Sequence, residues 1–405
     1  MRLFYLTRKL KPEDLGDTLS LPAAVGLRLA QGLNPEKIHF TTGYEVGYIL
    51  QALTQAGKAK DLNVITFNSQ RTLIERHRGL QQIGSSDAAG SNISFAEFLT
   101  SISPGTTKDI AIISPFGMAL GDALMFCTII QEYARQSRLR GCSVRLHLFQ
   151  APFNENVRVL CERSGLFASI HALPAPWDDL ARLDAFIDFS RPLEVSQSPW
   201  IDMVFELGGI PPHEIPPECK RNKLILPPSV ELEMEPLLRH VLDGHRPIVI
   251  FHQLAGTPVR SMPLRVAQEL LSFLLESTDY YFISLTPFDF EHPRFKDVSK
   301  LSTTTDHYFY LISSVDAFLT VDTSLYHVAD AFDVPGVVIF STNLIERFGK
   351  YYSYMKGLQL PGIDQFGGKH WSDDQNDIAR VKELWKAIDP AQVAELLEES
   401  LTLRS

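Results

Sequence analysis

Ala317-Phe318-Leu319-Thr320-Val321-Asp322-Thr323-Ser324-Leu325-Tyr326-His327-Val328-Ala329-Asp330-Ala331-Phe332-Asp333-Val334-Pro335 is the stretch whose reading decides the fold. Ala317–Val321 is short, apolar and β-prone, which predicts a strand buried on both faces. Three polar residues turn the chain, and apolar residues then recur at helical spacing over Leu325–Phe332. A second strand-sized apolar run, Gly336–Phe340, follows Pro335. Strand, helix and strand in this order make a parallel βαβ unit.

The same alternation extends in both directions. Strands are predicted at Pro247–His252 and Tyr280–Leu285, with helices at Leu264–Leu275 and Tyr308–Ser313. Earlier come strand Ile110–Ser114, a helix from Asp122 to about Arg135, strand Val144–Phe149 and helix Asn154–Ser164 with Asn154 as its cap. Ala168–Ala172 and Leu183–Asp188 continue that unit. Seven prolines between Pro211 and Pro236 argue for a linker over Glu206–Pro236 and against a long helix there. Val381–Leu401 reads as a terminal helix. In the first hundred residues Arg2–Leu6, Lys37–Thr41 and Leu62–Phe67 read as strands, Ser20–Leu33 and Gly43–Ala56 as helices, and Ile83–Asn92 as a loop. The expected division is a small N-terminal α/β module over 1–104, a first α/β domain over 105–235 ending in the linker, and a second over 236–405.

With 405 residues, 45% of them hydrophobic, the chain can fill two or three domain cores. The longest apolar runs are strand-sized, and Arg8 and Lys9 interrupt the N-terminal apolar residues before a cleavable leader could form. A cytoplasmic protein without a transmembrane segment is expected. Four cysteines without a CxxC pair suggest neither a zinc site nor a disulfide framework. A net charge of −10 argues against a nucleic-acid partner. The basic clusters Arg71–Arg78 and Arg135–Arg145 read either as solvated helix faces or as contacts to an anionic acceptor.

Three strand–loop–helix junctions carry candidate chemistry, because open α/β sheets bind ligands beyond the carboxyl ends of their strands. The first runs from Ser114 to Asp122. Gly117 and Gly121 would let the backbone approach another molecule closely. Asp122 is either a helix N-cap or a general base for an attacking hydroxyl. The second runs from Phe251 to Pro263, where Gly256, Thr257 and Arg260 either line an ordinary surface loop or offer donors to a diphosphate. In the third, the amides of Thr323 and Ser324 open a helix, where an anion is favoured. His327 lies one turn on. Asp322 and His327 also admit a bland reading, as a cap and a satisfied buried histidine.

Together these junctions resemble the ADP-heptose:lipopolysaccharide heptosyltransferase family. Its signature of Asp-Thr-x-x-x-His, alanine and a proline-preceded strand is matched by Asp322 to Pro335. Gly121-Asp122 and Gly256-Thr257-x-x-Arg260 occur in family order, and the similarity spans roughly residues 106–400. At three places the sequence departs from the family pattern. Arg260 stands for a lysine, Gln253-Leu254-Ala255 follows His252 in place of a His-Pro-Gly turn, and Ser341-Thr342-Asn343 replaces a glycine loop. The resemblance implies two Rossmann-like domains facing a central cleft (GT-B). It implies inverting, metal-independent transfer of a sugar, possibly heptose, from a nucleotide-diphosphate donor to a saccharide or protein acceptor. No cofactor is then needed. Asp122 would be the base, and Gly256, Thr257, Arg260, Asp322, Thr323, Ser324 and His327 would hold the donor. The rival readings are a nucleotide-sugar epimerase or hydrolase on this scaffold, and a non-catalytic nucleotide-sugar-binding or scaffold protein.

Overall fold

The computed structural model describes the strands at residues 2–5, 19–20, 38–41, 63–66 and 81–83. Beyond them it describes residues 93–114, 119–150, 155–173, 175–176, 179–180, 182–189, 198–241, 247–366, 368, 372 and 374–403. Ser20, the expected cap of the first helix, ends a strand; the rest of that helix, the helix expected at 43–56, Gly117, Asn154 and the Arg71–Arg78 cluster lie outside the described residues. The chain is α/β, with parallel sheets flanked by helices. By compactness it divides into two units. One comprises Met1–Ala119, Ile129–Ser196 and Asp202–Ile215; the other comprises Leu120–Thr128, Gln197–Ile201 and Pro216–Ser405.

The first unit holds two five-stranded sheets. Strands β1 (Arg2–Tyr5), β2 (Leu19–Ser20), β3 (Ile38–Thr41) and β4 (Asn63–Thr66) are joined by β9 (Ala175–Pro176) in the order β2-β1-β4-β3-β9, the last pair antiparallel. The second sheet is parallel, in the order β5-β10-β6-β7-β8, from Gln81–Ile83, Ala185–Asp188, Thr107–Ser114, Ser143–Gln150 and Ser169–Ala172. Residue 104 is thus crossed in both directions. β5 lies before it and pairs with β10, and β9 lies after it and pairs with β3. Residues 81–83, at the edge of the expected loop, are a strand.

The second unit carries a six-stranded, all-parallel sheet. Its strands are β11 (Ile248–His252), β12 (Tyr281–Ser284), β13 (Phe295–Asp297), β14 (Ala317–Val321), β15 (Gly336–Phe340) and β16 (Met355–Gln359), in the order β13-β12-β11-β14-β15-β16. Counted from β11 this is 3-2-1-4-5-6, the doubly wound order. β14 and β15 are buried at every residue, as expected of strands covered on both faces. They approach so closely that a Cβ on Gly336 would lie 2.3 Å from the Phe318 carbonyl oxygen, so only glycine fits. Trp385, Val393 and Leu397 pack under the sheet with Val249, Leu319 and Val337.

Two expectations need correction. The terminal helical pattern is two helices, Gln375–Trp385 and Pro390–Thr402. Asp389 accepts a hydrogen bond from Ala391 N, and Pro390 occupies the first turn, where a missing N–H costs nothing. The proline-rich stretch is more ordered than a linker. It contains two 3₁₀ turns and leads into the helix Pro228–Val241, with Pro236 inside it. Proline is tolerated there because Pro236 and Leu232, whose carbonyl loses its partner, are exposed, so water can replace the bond. The four cysteines are free, three of them buried. In the second basic cluster Arg135 pairs with Glu132 and Arg145 with Asp109. Among the described residues no helix is long and apolar enough to cross a membrane.

Candidate functional site

The sheet order of the second unit reverses between β11 and β14, and the loops leaving their carboxyl ends are two of the three junctions singled out in the sequence. Those two loops are bonded to each other. Arg260 is buried; its Nη1 donates to the Asp322 carbonyl oxygen at 2.9 Å, and its Nε donates to Thr257 Oγ1 at 3.2 Å. The Asp322 carboxylate lies 3.5 Å from the same guanidinium. Its Oδ2 accepts from Asn343 Nδ2 at 2.5 Å and its Oδ1 from the Tyr326 hydroxyl at 3.1 Å. Ser341 Oγ donates to the Val259 carbonyl at 2.9 Å, tying the end of β15 to the Arg260 loop. Gly256 is exposed at the rim, and an added Cβ would meet only Arg260 Nη2, at 3.8 Å.

The helix Ser324–Ala331 opens with Thr323 as its N-cap, and no side chain caps it. Thr323 and Ser324 are partly exposed between buried Asp322 and buried Leu325. Their amides stand at a helix N-terminus, where the first N–H groups have no intrahelical acceptor and an anion is favoured. Close by, Gln253 Oε1 and Thr342 Oγ1 are buried without hydrogen-bond partners among the described residues. Buried polar atoms are nearly always paired. Burial also pushes His252 down to about 4, so its ring is neutral.

The first junction reaches the same place. The helix Leu120–Leu139 starts two residues before the expected position, and its N-cap is Ala119, without a side-chain bond. Asp122 is therefore not the cap; it projects from the first turn. Its carboxyl is pushed up to about 6, chiefly by burial and also by the Asp322 carboxylate, while Arg260 pulls it down. A carboxylate that ionises near neutrality and feels both Arg260 and Asp322 is suited to accept a proton beside the anion site.

His327 has the buried, hydrogen-bonded environment of the bland alternative read from the sequence. It is buried, with Nδ1 2.5 Å from the Tyr352 hydroxyl and its ring centroid 4.1 Å from that of Tyr326. Its other edge abuts Gly121, where an added Cβ would come within 2.6 Å of Cδ2. The imidazole thus spaces the first turn bearing Asp122 from the helix bearing Thr323.

Several supporting residues were not visible in the sequence. Asn222 Nδ2 donates to the Tyr352 hydroxyl at 2.8 Å and to the His327 carbonyl at 3.3 Å, and its Oδ1 accepts from Thr128 Oγ1 at 3.1 Å. Arg221 pairs with Asp330 at 2.9 Å and Asp333 at 2.6 Å. Asp330 is pushed up to about 6 by burial, against the pull of Arg221. Among the described residues no cluster of three or more His, Cys, Asp or Glu side chains could hold a metal ion.

No family model matches the sequence, and no curated protein does. Solved structures do match. A glycosyl transferase family 9 protein from Veillonella parvula superposes with a TM-score of 0.54 at 13% identity, covering 74% of this chain and 98% of the other. Its fold matches that of GT-B glycosyltransferases. The ADP-heptose LPS heptosyltransferase II of E. coli gives a TM-score of 0.51 at 15% identity, covering 73% and 99%.

Proposed function

We propose that this chain is a glycosyltransferase that moves a sugar from a nucleotide-diphosphate donor to an acceptor hydroxyl. The observation that carries this is the convergence of Asp122, Arg260, Asp322 and the open helix N-terminus at the switch point of the doubly wound sheet. Asp122 accepts the proton of the acceptor hydroxyl as its oxygen bonds to the anomeric carbon. The bond from that carbon to the diphosphate breaks with its electron pair. Charge growing on the leaving oxygen is met by the Thr323 and Ser324 amides, the Arg260 donors and the Thr257 hydroxyl. Such preorganised donors contribute roughly 3 kcal/mol each to the transition state. Gly256 leaves the rim open to the phosphates. His327 acts by position, holding the Asp122 turn against the anion-binding helix. No step calls on a cofactor.

The unpartnered atoms of Gln253 and Thr342 support a polar ligand above β11 and β15. The fold similarity to an ADP-heptose transferase supports a nucleotide-diphosphate sugar as that ligand, with heptose as a candidate sugar. The donor side is assigned to residues 236–405, the acceptor side to 105–235, and a saccharide or protein is the acceptor class. A thermal-shift panel of ADP-, GDP-, UDP- and dTDP-sugars, followed by product analysis with the stabilising donor, tests the reading. A transferred sugar supports it. Free sugar alone makes the protein a hydrolase, and stabilisation without turnover makes it a binding protein.

A further inference from the structure

We propose that Arg347 supplies a positive charge of this site that is not committed to an ion pair, and makes the site select diphosphates over monophosphates. The inference rests on the functional reading above. Arg260, the arginine evident in the sequence, is already matched inside the protein, with Asp322 3.5 Å away and the Asp322 carbonyl bonded to Nη1. Arg347 has no acidic partner within ion-pair distance among the described residues. Its Nε is buried without a hydrogen bond, and its guanidinium lies 5.9 Å from the Trp200 ring centre and 5.3 Å from that of Phe348. The side chain is half-buried, and withdrawing a cation from water without an anion costs free energy in proportion to its burial, so an anionic ligand would complete it.

The backbone brings Arg347 to the site. Asn343, in the turn after β15, binds the Asp322 carboxylate at 2.5 Å. The short helix Ile345–Phe348 follows at once, anchored by Gln359 Oε1 accepting from Ile345 N at 2.9 Å. Arg347 is thereby four residues from a direct ligand of Asp322. Burial lowers its pKa, and the Asp322 carboxylate opposes that shift, so the two charges feel each other. With Asp122 ionised, the site holds two carboxylates, Asp122 and Asp322, and two guanidiniums, Arg260 and Arg347. Those four charges cancel, leaving the helix N-terminus to attract an anion. Without Arg347 the side chains sum to a net negative charge, which repels the additional phosphate of a diphosphate.

The test is calorimetric titration of the full chain with ADP, GDP, UDP and dTDP, with their monophosphates and with inorganic pyrophosphate. Arg347→Gln is expected to weaken the bound diphosphate by about 10- to 100-fold, the range for a hydrogen bond to a charged group. The matching monophosphate should change less than about threefold, and pyrophosphate should follow the diphosphate. Arg347→Lys should fall between, since it keeps the charge and loses the planar fork; it carries the test if the Gln variant does not fold. Unchanged diphosphate affinity in a folded variant, or equal losses for mono- and diphosphate, overturns the proposal. A parent protein that binds none of the diphosphates overturns the functional reading itself.

Discussion

Replacing Gly121 by alanine tests the packing that places Asp122. The new Cβ would lie 2.6 Å from His327 Cδ2 and 3.1 Å from Nε2, whereas carbon atoms in contact prefer about 3.5–4.0 Å. About 1 Å of movement is required. His327 is poorly able to supply it, because Tyr352 binds Nδ1 at 2.5 Å, the tilted Tyr326 ring packs on it with centroids 4.1 Å apart and Asn222 holds its carbonyl at 3.3 Å. The first turn of the helix Leu120–Leu139 must therefore lift. Overpacking of this kind costs about 1–3 kcal/mol, and the better helix propensity of alanine returns about 0.5–1. A net loss of about 1 kcal/mol, the middle of these ranges, and at most about 2.5 is expected in urea unfolding. A fall in transfer rate should accompany it, since Asp122 is the next residue. A variant as stable as the parent would refute the argument that the imidazole fixes this turn.

Tyr352→Phe removes the hydroxyl shared by His327 and Asn222, leaving two buried groups short of a partner. A loss of about 1–3 kcal/mol is expected by chemical denaturation, and a loss below 0.5 would show that the network is slack. The raised pKa of Asp122 fixes two pH signs. As a base it must be ionised, so kcat should rise with pH and level off above an apparent pKa of about 6; a flat profile from pH 5 to 8 would exclude it. For stability, the native state keeps a proton on Asp122 up to about pH 6 that the unfolded chain releases near its ordinary value of 3.8. Stability therefore falls as pH rises through that window. Asp122→Asn, which cannot ionise, should be more stable than the parent at pH 7 and lose that advantage near pH 4.

What was legible in the sequence follows from physical contrast. β11, β14 and β15 stand out because strands buried on both faces are continuously apolar. β16 is only partly buried throughout and contains Lys356 and Gly357, and β13 buries one residue of three, so neither leaves a pattern. The Asp322–His327 run was readable because its chemistry is local in the chain, one turn plus one helical repeat. Asn222 and Tyr352 were not, because nothing local marks a residue whose partners lie 25 to 130 positions away; nor was Arg347, which meets the distant Trp200 only in the folded chain. Proline density misled for a definite reason. Proline forbids a buried helix interior, whereas Pro236 lies on an exposed face. The sequence placed the start of this helix at Asp122, whereas it begins at Leu120 with Ala119 as its N-cap, so Asp122 lies in the first turn.

Asp122→Asn removes the proton acceptor while keeping the shape of the side chain, so its transfer rate isolates the proposed proton transfer. With the donor identified, the rate should be lower by about 10²–10⁴, donor affinity within about threefold of the parent, and the melting temperature at neutral pH no lower than parental. Sugar transfer at the parental rate would contradict it.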